Sequence, residues 1–473
     1  MLHSNARPTI AIIGGGFTGG AVAWNLARQL PEGAAQIIVF EPRARLGAGL
    51  AYDTADPVHR INVPAARMSL DPRAPDDFAN WLAETGYVEN DRESVTPDGS
   101  VFPRRSAFGA YVWSRIRPCV DSGAIVHYQT RIDRVVREGG RWRLFTEDGT
   151  SQDADCVVIA SSHPAPSVPR VLSSMLEGHP RFIADATKPA ALDPVRPGDD
   201  VLVVGNGLTS ADVIASLLQR GHTGRITSIS RRGLRSRGHA ARPQEPHGDF
   251  VSRPIVSARL LLRRVREAIR QAEHFGVSWH AVIDQVRSQG ATIWRNLPVA
   301  ERRRLVRHLR PFWDVHRFRI APQVEHALAM ATISGKLETQ AASVVAVSYH
   351  AGRIRAALRL ARSAGTLIRD FDAVVVTTGP AHGQVIQSQD FLADLADAGL
   401  VRADPMQLGL ACDLQSRLLD RNDRPVAGLY VAGPLARGTI GELMGLPQVS
   451  EHALAVAGEV AGFVGARRSE NAA

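Results

Sequence analysis

Lysine is almost missing from this 473-residue chain: of its 56 basic residues only Lys188 and Lys336 are lysines. The net charge of +9 therefore comes from arginines, most of which are interspersed with acids. A nucleic-acid-binding surface needs basic residues gathered on one face. The scattered arginines thus indicate a chain that uses arginine in place of lysine throughout and has no dedicated basic surface. We therefore predict no nucleic-acid partner.

Cysteine is also scarce, since the chain has only Cys119, Cys156 and Cys412, far apart. No CxxC pair occurs, which excludes a sequence-local redox dithiol and a zinc knuckle. We therefore predict no metal site and no disulfide scaffold, although a bridge between distant cysteines stays open.

Long apolar runs are lacking as well, and no segment is long enough to span a bilayer. The first residues, MLHSNARP, contain no apolar signal core. We expect a cytoplasmic protein with no membrane partner. At 44% hydrophobic residues, the chain can build two or three domains with proper cores.

The most informative stretch is Thr9 to Glu41, in which an apolar run, a glycine-rich turn, a helical pattern and a second apolar run follow one another. This order predicts a strand–turn–helix–strand unit that binds a dinucleotide. Its first glycine permits the tight turn, the second lets a pyrophosphate approach, and the third lets the helix pack closely. The predicted contacts are Gly14, Gly16, Thr18, Gly19 and Glu41.

The pattern restarts at residues 200–232, where an apolar strand leads into GNGLTSAD. The predicted contacts of this second turn are Gly205, Gly207, Thr209, Ser210, Arg231 and Arg232. Later, DAVVVTTGPAH repeats the earlier DADCVVIASSHP, so the chain contains an internal duplication. We predict an α/β fold with two Rossmann-like domains. The expected boundaries are 1–165 and 391–473 for the first domain, and 166–390 for the second, with a helical insertion at about 233–332.

The residues that follow the second strand of each copy differ in charge, which suggests different ligands. Glu41 suits an unmodified ribose, so the first copy is expected to bind FAD or NAD. Arg231 and Arg232 suit a 2′-phosphate, so the second copy is expected to bind NADPH. Electrons would pass from a nicotinamide to a flavin.

This order of parts resembles the flavoproteins with two dinucleotide-binding domains, which include glutathione-reductase-like enzymes and class B flavin monooxygenases. GAGLAYDTADPVHRINVPAARMS, VLVVGNGLTSAD and HLRPFWDVHRFRIAP are similar to bacterial FAD/NAD(P)-binding proteins. The resemblance implies a backbone contact to FAD at Gly433, where Pro434 replaces the usual Asp. It also implies flavin contacts at Leu446, Pro447 and Gln448, where the last helix begins.

Three functions stay open. A monooxygenase would use NADPH, FAD and O2 to form a C4a-(hydro)peroxyflavin that oxidises a small polar metabolite, for example by N-hydroxylation of an amine. The missing dithiol and the expected helical insertion favour it, whereas the FxGxxxH motif of class B enzymes is not intact. A reductase would pass electrons to a small acceptor or a partner protein. A silent nucleotide-binding module is the third hypothesis.

Candidates for the chemistry lie in two stretches. In the loop after Glu41, His59 is a candidate proton shuttle and Asn62 a candidate hydrogen-bond donor to the flavin or its oxygen adduct. Surface or turn roles are the alternatives. Polar side chains that could clamp a substrate, or only stabilise the fold, are Arg60, Arg67, His316, Arg317 and Arg319.

Overall fold

The computed structural model describes residues 7–361 and 365–472. The first part of the chain alternates strands and helices in the order β1 (Thr9–Ile13), α1 (Phe17–Gln29), β2 (Gln36–Phe40), α2 (Gly49–Tyr52), α3 (Asp77–Glu84), α4 (Tyr87–Asn90), α5 (Arg105–Asp121), β3 (Ile125–Tyr128), β4 (Ile132–Glu138), β5 (Arg141–Thr146), β6 (Ser151–Ala154) and β7 (Cys156–Ile159). Within the described residues, no helix combines the length and apolar character needed to cross a bilayer.

The middle of the chain repeats this alternation and adds a group of helices. Its elements are α6 (Arg170–Leu176), β8 (Phe182–Ile183), β9 (Val201–Val204), α7 (Leu208–Gln219), β10 (Ile226–Ser230), α8 (Ala258–His274), α9 (Trp279–Ser288), α10 (Gly290–Asn296), α11 (Val299–His308), α12 (Arg310–Arg317), α13 (Pro322–Ile333), β11 (Leu337–His350), β12 (Arg353–Leu360), β13 (Thr366–Phe371) and β14 (Ala373–Val376). The last part contains α14 (Asp390–Asp397), β15 (Arg417–Leu419), β16 (Pro425–Val431), α15 (Arg437–Ile440) and α16 (Gln448–Ala472).

The first sheet has the strand order β15-β16-β7-β1-β2-β3, parallel except for β15. β1 and β7 are fully buried because helices cover one face and the β4-β5-β6 sheet with α14 covers the other. Strands buried on both faces appear in sequence as continuous apolar runs, which is why these two were recognisable. β16 adds the end of the chain to the N-terminal sheet.

The second sheet has the order β13-β12-β11-β10-β9-β14-β8. Its β10, β9 and β14 are parallel neighbours, as are β2, β1 and β7 in the first sheet. The two predicted dinucleotide units therefore have the same topology. The ligand-binding ends of such units lie at the carboxyl ends of the parallel strands.

Several elements differ from the sequence prediction. The sequence pattern of residues 124–150 predicts a strand meander whose first strand is Val126–Tyr128. In the structure residues 125–128 form β3 beside β2 in the main sheet, so the meander consists of β4, β5 and β6. The sequence pattern predicts a helix over Ala300–Leu309 and none directly after it, whereas Arg310–Arg317 forms a further helix, α12. β13 was also missed, since its alternating charged side chains weaken the strand signal.

Candidate functional site

The first glycine-rich turn has the close packing that a dinucleotide site needs. Gly14 has a φ of +96°, and a Cβ at Gly19 would lie 1.8 Å from the carbonyl oxygen of Gly14. Any side chain at Gly19 would therefore push α1 away from β1. Gly16 is the N-cap of α1 and no side chain caps this end. The first N–H groups of α1 thus stay available for an anion.

Glu41 is held against the same turn, with 4% of its surface exposed. One carboxylate oxygen accepts a hydrogen bond from the Gly15 N–H at 3.0 Å. The other accepts from the backbone N–H and guanidinium of Arg43, at 3.1 and 3.0 Å. A carboxylate has about four acceptor positions, so one stays free for a ribose hydroxyl.

Gly433 lies next to this turn, although more than 400 residues separate it from Gly14. Its φ is +74°, and a Cβ there would lie 2.6 Å from the hydroxyl oxygen of Thr18. Its N–H donates to Nδ1 of His452 at 3.0 Å, and Nε2 of His452 lies 2.9 Å from the Ser416 hydroxyl. Burial lowers the pKa of His452 to about 4. The ring is therefore neutral at pH 7, and its proton is on Nε2.

The segment 446–448, where the sequence predicts flavin contacts, is held by an arginine from the helical region. The guanidinium of Arg287, on α9, donates to the Leu446 carbonyl oxygen and, at 2.7 Å, to the side-chain oxygen of Gln448. Burial lowers the pKa of Arg287 to about 9. α16 begins at Gln448, directly after Pro447. Sequence reasoning missed Arg287 and His452, because neither belongs to a local motif.

The second glycine-rich turn repeats the first with one change. Gly205 has a φ of +128°, and a Cβ there would lie 2.5 Å from the Thr377 carbonyl oxygen. Gly207 is the N-cap of α7, and Thr209 lies in the first turn of that helix. Ser210 is buried, with its hydroxyl 3.3 Å from that of Ser228. The serine at the third glycine position thus packs toward the sheet.

Arg231 and Arg232 follow β10 directly, and both side chains are exposed. Neither forms an ion pair with any acid in the part of the chain that the structure describes. The Arg232 guanidinium lies over the Phe312 ring, 5.7 Å from its centre. These two cations are therefore free to receive a phosphate.

Arg60, a predicted candidate for substrate binding, is buried and paired within the protein. It is 4% exposed and donates two hydrogen bonds to the Asp91 carboxylate, each 2.9 Å long. This bidentate pair occupies the geometry that a substrate carboxylate would need. Arg67 is about half exposed, 3.7 Å from Asp284.

The loop after Glu41 contacts the second domain. Nε2 of His59 lies 3.3 Å from the hydroxyl of Ser216 on α7, and Nδ1 lies 2.9 Å from that of Thr54. Burial is the main cause that lowers the pKa of His59. The carbonyl oxygen of Asn62 is 3.1 Å from Nε2 of His239. Both ring nitrogens of His59 therefore have partners, and its role as a proton shuttle stays a prediction.

The candidate residues in and directly after α12 are mostly engaged by other parts of the protein. Arg317 pairs with Glu442 at 2.8 Å, and Arg319 pairs with Asp284 at 2.8 Å. His316 has Nδ1 2.7 Å from the Phe312 carbonyl oxygen. Arg317 and Arg319 are buried. They therefore join α12 to its neighbours, which is the alternative that the sequence had left open.

A cavity of about 450 Å³ lies among α8 to α12. Aliphatic and aromatic side chains form most of its wall, and the polar side chains at one end are Arg310, Asp314, Arg437 and Glu442. Gly441, Glu442 and Met444, which also line it, lie just before the segment 446–448. The cavity has the size and the mixed lining of a small-molecule site.

Comparisons with known proteins agree with this geometry. Residues 11–164 match the family model described as FAD-NAD(P)-binding. The fold is similar to the reduced ornithine hydroxylase of Pseudomonas aeruginosa, with a TM-score of 0.63, 16% identity, and 97% and 100% of the two chains covered. It is equally similar to L-lysine 6-monooxygenase of Pseudomonas syringae, with a TM-score of 0.63, 19% identity and coverage of 98% and 99%.

Thioredoxin reductase of Lactococcus lactis is a more distant match, with a TM-score of 0.51, 11% identity, and coverage of 98% and 100%. No curated protein matches the sequence significantly. Identities this low show the fold alone, which is that of flavoproteins with two dinucleotide-binding domains.

Proposed function

We propose that this chain, built on the fold of the two-dinucleotide-binding-domain flavoproteins, is an FAD- and NADPH-dependent monooxygenase. It would use O2 to hydroxylate an amine nitrogen of a small-molecule substrate in the cytoplasm. The observation that carries the proposal is the contrast between the two turns. A buried carboxylate, Glu41, lies at the first turn, and two unpaired cations, Arg231 and Arg232, lie at the second.

The residues of the first turn fit FAD. The uncapped end of α1 faces the close-packed glycines, which leaves room and N–H donors for a pyrophosphate. Glu41 keeps an acceptor for the adenosine ribose, and the backbone at Gly433 stands in for the side chain that Pro434 lacks. A bound flavin supplies hydride acceptance and oxygen chemistry. The protein orients it by holding the segment 446–448 through Arg287.

The residues of the second turn fit NADPH. Gly207 leaves open space where a Cβ would point, so a pyrophosphate can approach the start of α7. Arg231 and Arg232 would bind the 2′-phosphate and select NADPH over NADH.

The cysteines argue against a disulfide reductase. All three are free. Cys156 and Cys412 are buried, and burial raises the pKa of both thiols, that of Cys412 to about 12. A redox dithiol needs a reactive, accessible thiolate. The fold likeness to lysine and ornithine hydroxylases favours oxygen as the electron acceptor and an amine as the substrate.

The test is NADPH oxidation by the flavin-loaded protein, with oxygen uptake and hydroxylamine formation followed together. The panel contains ornithine, lysine and cadaverine, together with amines that have apolar side chains. We expect at least one amine to stimulate oxygen uptake and to yield hydroxylamine. If NADPH is oxidised only when a quinone or ferricyanide is added, and no amine changes this, the protein is a reductase and the proposal is wrong.

A further inference from the structure

The cavity among α8 to α12 is apolar over most of its wall. Leu261 and Val265 on α8, Ile293 on α10 and Leu305 on α11 face it, and Trp279 adds an aromatic surface. An apolar wall of this kind favours a ligand with an apolar body, because each buried methylene adds to the binding free energy. A fully polar metabolite would lose its hydration there without compensation.

At the polar end of the cavity, Arg437 is buried and lacks a counter-ion. It is 5% exposed, and its Nε donates to the Leu408 carbonyl oxygen at 3.3 Å. One terminal nitrogen contacts the sulfur of Met444. The other, Nη2, has no hydrogen-bond partner among the described residues. No acid in residues 7–361 and 365–472 comes within ion-pair distance of this guanidinium.

The acids around Arg437 are already engaged. Asp314 accepts from Arg310 at 3.3 Å, and Glu442 pairs with Arg317 at 2.8 Å. Among the described residues, Arg437 is therefore the guanidinium at this end of the cavity that has no ion pair.

Asp404, the third nearby acid, accepts hydrogen bonds from three backbone N–H groups, those of Met406, Leu408 and Gly409, at 2.8, 2.7 and 2.5 Å. Burial lowers the pKa of Arg437 to about 10, so it stays protonated at neutral pH. An uncompensated buried cation is costly, and such charges are normally paired.

We propose, resting on the function proposed above, that the amine substrate also carries a carboxylate and an apolar body. Its carboxylate binds the guanidinium of Arg437, and its apolar body fills the cavity between α8, α10 and α11. One charge-assisted hydrogen bond from Nη2 to a carboxylate oxygen would pair the buried cation and satisfy this nitrogen.

The experiment measures binding to the flavin-loaded protein by calorimetry without NADPH, so that it does not depend on turnover. The probes are octanoate, decanoate and dodecanoate, with decylamine as the oppositely charged control. We expect affinity to rise by about fourfold per added methylene. Decylamine should bind at least about tenfold more weakly than decanoate, since it has no carboxylate to pair with the Arg437 guanidinium.

Two variants separate the charge from the cavity. Arg437→Met should weaken decanoate binding by about ten- to a hundredfold, while Arg437→Lys should recover part of it. Val265→Trp, which fills the apolar end, should remove the dependence on chain length. Arg437→Met should also unfold at a higher temperature than the parent protein, because an unpaired buried charge has been removed.

The proposal is overturned if decylamine binds as well as decanoate, or if chain length has no effect. It is also overturned if Arg437→Met releases FAD while acid binding to the reloaded protein is unchanged, because the arginine would then serve the cofactor. These outcomes concern binding alone. Oxygen uptake that no amine stimulates would refute the monooxygenase and leave the binding results standing.

Discussion

Because His452, which accepts a hydrogen bond from Gly433, is neutral in the folded protein, we expect the free energy of unfolding to fall as the pH is lowered. Nδ1 of His452 accepts the Gly433 N–H, so protonating that nitrogen breaks the hydrogen bond and buries a charge. Burial lowers the pKa of His452 to about 4 from an ordinary value of 6.5. The unfolded chain therefore binds a proton more readily than the folded protein between these two pH values, and stability falls as the pH drops through this window.

The size of the effect follows from the shift in pKa. A difference of about 2.5 units corresponds to about 3 kcal/mol once the pH is below 4. Between pH 7.5 and pH 5, the loss from this one group is about 2 kcal/mol. The variant His452→Asn retains an acceptor near the position of Nδ1 and does not titrate. Its free energy of unfolding should therefore fall by about 2 kcal/mol less than that of the parent protein over the same interval.

The assay is urea unfolding of the flavin-loaded protein at the two pH values, followed by tryptophan fluorescence. His350→Asn is the matched control, because His350 is exposed at the end of β11 and its loss should leave the pH dependence unchanged. Equal pH dependence in the parent protein and His452→Asn would refute the reasoning. It would mean that His452 does not stay neutral in the folded protein.

Three further predictions concern the nucleotide sites and the loop. Replacing Arg231 and Arg232 with alanine should raise KM for NADPH by about tenfold or more, because two charge-assisted contacts are lost, and should change KM for NADH little. In Gly19→Ala the new Cβ would lie 1.8 Å from a backbone carbonyl oxygen, so the purified protein should retain little FAD. Arg60→Met removes the bidentate partner of the buried Asp91 carboxylate, which keeps only the Tyr87 hydroxyl at 3.0 Å and Arg104 at 3.8 Å. This variant should lower the free energy of unfolding, measured in urea, by about 3 kcal/mol with KM unchanged.

Each of these has a control and a contrary outcome. The control Arg263→Ala removes an exposed arginine of α8 and should change KM for NADPH and KM for NADH equally little. If replacing Arg231 and Arg232 raised both KM values equally, the assignment of these residues to the 2′-phosphate would be rejected. Gly207→Ala meets nothing within 4 Å and should fold normally with FAD bound. The double variant Arg60→Met with Asp91→Leu should recover much of the lost stability. If Arg60→Met raised KM without lowering the free energy of unfolding, Arg60 would instead contact the substrate.

The fold could be predicted from sequence because its main signals are local. Each glycine-rich turn lies in a strand–turn–helix–strand pattern, which predicts a dinucleotide-binding unit. The occurrence of two such units, each followed by similar elements, indicated the duplication. The strand at residues 125–128 was assigned to the wrong sheet because its pairing with β2 is parallel and long-range. A short apolar run does not reveal its partner.

The site was predicted in part, for a similar reason. Glu41 belongs to a motif of fixed spacing, so its position at the turn could be predicted from the sequence. Arg60, by contrast, forms its ion pair with Asp91, 31 residues away, and no periodicity connects the two. His452, Arg287 and Arg437 act through contacts between distant elements. That Arg437 has no ion pair among the described residues becomes visible only when every neighbouring acid has been matched to its own partner.

The central claim is that NADPH at the second turn reduces FAD at the first. Anaerobic titration of the purified protein with NADPH, followed at the flavin absorption bands, tests it most directly. The account predicts a yellow protein that loses its flavin absorbance with one equivalent of NADPH and regains it on admission of oxygen. A colourless protein that binds no added FAD, or a flavin that stays oxidised in excess NADPH, would contradict it.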